Sequence, residues 1–260
     1  MDLYPDALDA AGIVRRGSVL YWVLQQCIET SLGSIDGVIA LGPRQRERLL
    51  AYRQWGKVRS CIVVSPWDKR PIPRPPGPNL VLKRYGWEDR KIALYAGNLG
   101  EGHTFKEFIE GARWFHHRKN KDWLFLFAVR GSGVAALRAE ASDQSNVRIM
   151  DYLPEEETAA LLWSATVHLI SMKPGWEGII VPSKLYGVIK TEAPVLFIGP
   201  RDADIAQELT RLSRGTVLPS GSDGAAVAAA LEDLGQPRRR ASPVIDLRGI
   251  ERIADYICRP

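Results

Sequence analysis

The chain has 260 residues, of which 45% are hydrophobic and 25% charged, and carries a net charge of +5. This is ordinary globular composition, with apolar material for one large or two small cores. No apolar run approaches the roughly 20 residues of a spanning helix, and the acidic start MDLYPDALDA does not read as a signal peptide. Cys27, Cys61 and Cys258 have neither even number nor metal-like spacing, so a reducing, cytoplasmic setting is expected. The histidines suggest no metal site either, because His116 and His117 point to different helix faces and His103 and His168 fall in different elements.

In chain order, residues 18–32 form an amphipathic helix with Leu20, Trp22, Val23 and Ile28 on a broad apolar face. A core position is expected for it; the alternative is an interfacial helix on the cytoplasmic membrane surface, with Arg15 and Arg16 at headgroup level. Basic runs at 15–16, 44–48 and 238–240 read as solvated faces. They lack the aromatic interleaving of an RNA module, so no nucleic-acid partner is expected. A strand at 37–41, a helix from Pro43 to about residue 52 and a strand at 61–64 complete a β-α-β fragment of a parallel sheet. Two strands make no independent core, so residues 1–65 are expected to be the remnant of a larger domain. Six prolines between Pro66 and Pro78 mark a stiff linker, assigned to residues 66–87.

From Lys91 short apolar runs alternate with amphipathic segments. Strands are expected at 91–96, 123–129, 147–150, 166–170, 195–198 and 215–218, with helices at 105–119, 134–142, 155–164, 183–189, 205–212 and 225–234. The fold class is therefore α/β: a Rossmann-like, doubly wound parallel sheet over residues 88–236, accompanied by the fragment of a second Rossmann-like domain. Residues 237–260 form a tail whose terminal helix, 247–257, is expected to pack back on residues 1–65.

In such a sheet ligands bind outside the carboxyl ends of the strands. The first such loop is Gly97-Asn98-Leu99-Gly100, a glycine turn whose N–H groups suit a phosphate, followed by Thr104 as an N-cap. The second is Arg130-Gly131-Ser132-Gly133, whose guanidinium is either a clamp for a diphosphate or a solvated loop arginine. The third is Asp151-Tyr152-Leu153-Pro154: either Pro154 opens the next helix and Asp151 and Tyr152 are turn residues, or a base lies against Tyr152 or bonds to the nearby backbone. The fourth, within residues 172–194, holds Glu177 between Gly175 and Gly178, then Ser183 and Lys184 at a helix start. An acid that accepts from hydroxyls beside a cation and free N–H groups fits a sugar nucleotide. Asp202-Ala203-Asp204 spells the D-x-D of metal-dependent sugar transferases but opens a helix, where acids are favoured anyway.

Together the motifs resemble family 4 GT-B glycosyltransferases of bacterial surface-polysaccharide synthesis. Their "GNLG…H.F" turn is matched by Gly97 to Gly100 with His103 and Phe105, and their "G.EG..VPSK.YG" stretch by Gly175 to Gly187. The resemblance implies the C-terminal donor domain of a GT-B fold and a retaining, metal-independent transfer. The sugar would pass from a nucleotide-diphosphate donor, most readily a UDP-sugar, to a glycan or lipid-linked acceptor, with no bound cofactor. It implies that Glu177 and Gly178 contact the donor sugar, that Gly97, Asn98, Arg130, Ser183 and Lys184 surround the diphosphate, and that Tyr152 and Leu153 lie near the base. Gly187 stands where many members carry a ribose-binding acid, and Glu101 where a basic residue is common. Most of the acceptor domain would precede Met1, so an acceptor-domain subunit or a homo-oligomer is an expected partner. The alternatives are a non-catalytic nucleotide-sugar-binding or partner subunit, and a sugar-nucleotide epimerase of the same architecture.

Overall fold

The computed structural model describes residues 3–52, 60–64, 72–181, 184–237 and 249–258. Six parallel strands form the main sheet: β3 (Lys91–Asn98), β4 (Trp123–Arg130), β5 (Val147–Met150), β6 (Val167–Ser171), β7 (Val195–Ile198) and β8 (Gly215–Leu218). Their order is β5-β4-β3-β6-β7-β8, so the chain winds outward from β3 in one direction and from β6 in the other. Among the described residues seven α-helices of this half, α4 (Leu80–Tyr85), α5 (Lys106–His117), α6 (Val134–Glu140), α7 (Glu155–Trp163), α8 (Lys184–Val188), α9 (Asp204–Leu212) and α10 (Gly224–Leu234), cover both faces. That double cover explains why β6 and β7 are buried at every position and β4 at all but its last. Alternate side chains divide between the faces. Tyr95, Phe125 and Phe127 meet Phe108 and Phe115 of α5 and Leu231 of α10. Ile92, Leu94, Leu124 and Leu126 meet Val81 and Leu161 of α4 and α7.

A smaller unit stands beside this sheet. β1 (Gly37–Ala40) and β2 (Ser60–Val63) pair in parallel, flanked by α1 (Asp6–Ala10), α2 (Val19–Leu32) and α3 (Pro43–Leu50). Ser18 Oγ accepts from the Tyr21 N–H at 3.2 Å and so starts α2. The end helix α11 (Gly249–Ile257) reaches this unit: the Tyr256 hydroxyl donates to the Ser60 carbonyl at 2.9 Å.

The structure differs from the sequence reading at several places. α1 was not expected; its Asp6 is buried and accepts from Arg16, Tyr21 and Tyr52, partners that lie 10, 15 and 46 residues away. The linker assigned to 66–87 contains α4, because the prolines that forbid helix stop at Pro78. Asn79 Oδ1 then accepts from the Val81 and Leu82 N–H groups at 3.0 and 3.2 Å. Thr104 does not cap α5. Its hydroxyl donates to Glu107 at 2.7 Å, and Glu107 in turn accepts from the Gly221 N–H. Pro66, Pro71, residues 238–240 and 247–248 lie outside the described residues.

Candidate functional site

Both halves of the winding meet where β3 lies beside β6, and a ligand site is expected at the carboxyl ends of those two strands. A cleft of about 580 Å³ opens there, with Gly97, Asn98, Gly100, Gly102 and His103 on one wall and Trp176, Ile180 and Lys184 on another. Tyr4, Ala7 and Leu8, at and beside α1, form the opposite side. A second hollow of about 310 Å³ lies next to it, lined by Ala128, Leu153, Leu161, Leu162 and Gly187. Gly97, Tyr152 and Lys184 border both spaces. The result is a polar chamber adjoining an apolar one.

Lys184 is the group that organises the polar chamber. Its ammonium donates to the Tyr95 hydroxyl and to the Asn98 carbonyl, each at 2.6 Å, and lies 4.1 Å from the centre of the Tyr95 ring. Burial lowers its pKa to about 7, so near neutral pH this lysine is poised between charged and neutral forms. Gly97 makes the approach feasible. Its φ is +129°, and a Cβ there would stand 2.7 Å from Lys184 Cε. The loop after β3 is fixed against the loop after β4, since the Leu99 N–H donates to the Arg130 carbonyl and the Gly133 N–H to the Leu99 carbonyl.

His103 deepens the same wall. Its Nδ1 lies 2.7 Å from the Ser171 carbonyl, which can only accept, so Nδ1 carries the proton. Burial, reinforced by the nearby Lys184 charge, holds its pKa down to about 4. The ring is neutral at physiological pH, and its Nε2 is an acceptor.

Of the expected site residues, the structure brings Gly97, Asn98, Tyr152, Leu153 and Lys184 together around the two adjoining spaces. Arg130 is turned elsewhere: its Nε donates to Asp151 at 2.5 Å and its guanidinium stacks 4.7 Å from the Tyr152 ring. This contact holds the Asp151 carboxyl below its usual range. Glu177 does not line the cleft; its carboxylate accepts from the Gly175 N–H at 3.2 Å, closing its own turn. Gly178 is buried against α3. Ser183 lies outside the described residues. The helix expected at 183–189 is one short turn, Lys184–Val188, continued as a 3-10 turn through Thr191 and ended by Glu192 at φ +67°.

Asp202 and Asp204 have structural partners. Arg44 donates to Asp202 Oδ2 at 2.9 Å, and the Arg44 N–H to Asp204 Oδ1 at 3.1 Å, which clamps the start of α3 to the main domain. Burial raises the Asp204 pKa. Among the described residues no three His, Cys, Asp or Glu side chains form a group that could hold a metal.

The sequence assigns no role to Tyr95, Trp176 or Ile180, and His103 enters there only within a motif and among the histidines that suggest no metal site. One usable signal was Tyr95 itself, the hydroxyl within the apolar run Ile92–Ala96, two residues before the glycine turn.

No protein-family model matches the chain. A probable glycosyltransferase, WbjE of Pseudomonas aeruginosa, is 23% identical over 239 residues, which cover 90% of this chain and 58% of that protein. The crystal structure of WaaG, a glycosyltransferase involved in lipopolysaccharide biosynthesis, superposes with a TM-score of 0.63 at 16% identity, over 85% of this chain and 62% of WaaG. A trehalose-6-phosphate protein structure from E. coli, bound with UDP-2-fluoro glucose, superposes with a TM-score of 0.59 at 15% identity, over 92% of this chain and 59% of its own. The chain thus spans about three-fifths of the length of these proteins. What the likeness establishes is the fold: a six-stranded parallel α/β sheet matching that of GT-B glycosyltransferase structures.

Proposed function

We propose that this chain is the nucleotide-sugar-binding part of a glycosyltransferase of surface-polysaccharide synthesis, which hands a sugar to a glycan or lipid-linked acceptor. The observation that carries the reading is the pair of adjoining spaces at the β3/β6 edge, joined by Lys184. The apolar hollow beside Tyr152 and Leu153 suits a base. The polar chamber, with a desolvated ammonium above a glycine turn, suits a diphosphate. The UDP-sugar analogue held by the E. coli structure supports a UDP-type donor.

In this reading Lys184 and the Gly97–Asn98 turn neutralise the diphosphate as it leaves, a role that charged and N–H donors perform best in a water-poor site. Arg130 joins them by exchanging Asp151 for a phosphate oxygen, and Ser183 completes the cradle. Glu177 turns from the Gly175 N–H to the donor's hydroxyls, beside Gly178. Transfer proceeds with retention and without a metal, and the acceptor is presented by a domain or subunit on the α1 side of the cleft.

Titration calorimetry with UDP and with UDP-glucose, UDP-galactose and UDP-N-acetylglucosamine tests the reading. Binding of UDP and of at least one UDP-sugar is expected. Glu177→Ala is expected to weaken the sugar nucleotide by about tenfold while leaving UDP within about twofold, the loss of one or two charge-assisted hydrogen bonds. Absence of any binding at millimolar ligand would rule the reading out.

A second reading, an assembly subunit without catalysis of its own, is favoured by α2. Val19, Leu20, Trp22 and Val23 are 79%, 56%, 56% and 43% exposed along one helix, an apolar surface of the kind that covers another molecule. Light scattering that shows a monomer turning over a sugar nucleotide unaided excludes it.

A further inference from the structure

The turn carrying Glu177 is held from outside its own domain. Arg48, in the last turn of α3, donates through Nε to the Glu177 carbonyl and through Nη2 to the Gly175 carbonyl, the latter at 3.0 Å. One planar guanidinium therefore grips the peptide on both sides of Trp176, a residue that lines the cleft. Gly178, at φ +71°, lets the backbone of α3 come closer still: a Cβ there would lie 2.5 Å from the Arg44 carbonyl and 3.0 Å from the Gln45 nitrogen. α3 is in turn pinned to the main domain, since Arg44 donates to Asp202 and Asp204.

We propose that Arg48 is a positioning residue for the donor sugar: it fixes the Gly175–Gly178 turn, so that the placing of the Glu177 carboxylate is governed by α3 on the acceptor side of the cleft. This rests on the assignment of Glu177 to the sugar. The turn's own backbone bonds, from the Ile179 and Ile180 N–H groups to the Trp176 carbonyl at 3.0 and 3.3 Å, do not use the Gly175 and Glu177 carbonyls that Arg48 takes. Gly175 and Gly178 both sit at positive φ, and among the described residues the Glu177 carboxylate has one polar contact, the weak 3.2 Å bond from the Gly175 N–H. Arg48 supplies charge-assisted bonds to two carbonyls, of the stronger class. It also lines a separate cavity of about 510 Å³ with Asp6, Tyr21, Trp22 and Tyr52. Movement or occupancy on that side thereby reaches the donor turn through one side chain. The dependence runs from the small unit to the large one, and selectivity for the sugar is assigned to their contact.

Two measurements test this on Arg48→Met and Arg48→Lys, the second keeping the charge but able to hold only one carbonyl well. Hydrogen exchange of the free protein is expected to accelerate at residues 175–179 in Arg48→Met, less in Arg48→Lys, and to stay unchanged at residues 97–102. In calorimetry both variants keep UDP affinity within about twofold, while the extra affinity of a UDP-sugar over UDP falls by about fivefold or more in Arg48→Met, consistent with a lost charge-assisted grip. Unchanged exchange at 175–179 overturns the role of Arg48 whatever the ligand. Equal loss of UDP and UDP-sugar also overturns it, by showing a general structural effect. A wild-type protein that binds no nucleotide sugar overturns the functional reading instead, while the exchange result still decides whether Arg48 holds the turn.

Discussion

Replacing Lys184 with methionine keeps the apolar stem and removes the ammonium, and the structure sets opposite signs for its effects on stability and on binding. Folding lowers the lysine pKa from 10.5 to about 7 because burial strips the ammonium of water. Below pH 7 it is protonated in folded and unfolded chains alike, and the folded state bears the full penalty. Between pH 7 and 10.5 the folded chain sheds the proton first, so the penalty fades as pH rises. At about 1.4 kcal/mol per pKa unit, a fall from 10.5 to about 7 sets an upper limit on the order of 5 kcal/mol. Partial exposure of the side chain and loss of the bonds to Tyr95 and Asn98 reduce the net gain to about 1–2 kcal/mol. Lys184→Met should therefore raise Tm by several degrees at pH 6 and by nothing at pH 10. Binding moves the other way. An anion in the cleft re-charges the lysine, so wild-type affinity for UDP should weaken above pH 7 by up to about tenfold per pH unit. The variant should bind about 10- to 100-fold more weakly at pH 6.5, with little pH dependence. Calorimetry from pH 6 to 9 and thermal melts at both ends read these outcomes. A variant that melts lower at pH 6, or that keeps the wild-type affinity and slope, would refute the assignment.

Gly97→Ala forces a side chain into φ +129° and against Lys184 Cε. A loss of about 1–3 kcal/mol in urea denaturation is expected, with UDP affinity reduced as in Lys184→Met; unaltered affinity would show that the lysine can move aside without consequence. His168 is fully buried on Thr191 and its pKa falls to about 3, so its stabilising neutral form is complete above pH 6.5 and lost as pH drops toward 3. His168→Gln should flatten the fall in stability between pH 6.5 and 4 by up to about 1.4 kcal/mol per pH unit; an unchanged acid limb in urea titrations would remove this histidine from the explanation.

Strands β5, β7 and β8 begin and end where the sequence puts them, because each is a short apolar run flanked by polar or turn-forming residues, and burial on both faces leaves little freedom in where it starts. The loops that reach the ligand edge were legible for the same reason: once the strands are placed, their carboxyl ends follow. What the sequence could not supply was pairing across the fold. Arg130 faces a free loop in sequence, yet Asp151, 21 residues on, takes its guanidinium. Glu177 stands alone among glycines in sequence, yet its turn is held by a residue 129 positions earlier. Asp202 and Asp204 read in sequence as the acids of a helix start, yet their partner is Arg44, about 160 residues away. α1 was missed because its contacts are remote, and α4 because a dense proline run overshadowed the Asn79 cap that follows it.

The junction of β3 and β6 has a mechanical consequence. β3 and β4 share eight register pairs, from Lys91 opposite Trp123 to Asn98 opposite Arg130, whereas β3 and β6 share two, Ala93 with Val167 and Leu94 with His168. The sheet is thus two three-stranded panels joined along a short line, and at the end of that line, where the cleft lies, the panels are tied by His103 to the Ser171 carbonyl and by Lys184 to the Asn98 carbonyl. A molecule gripping Asn98 on one panel and Lys184 on the other acts as a cross-brace. Occupancy of the cleft should then stiffen the backbone most along the middle of the sheet, well inside the protein and away from the surface where the ligand enters.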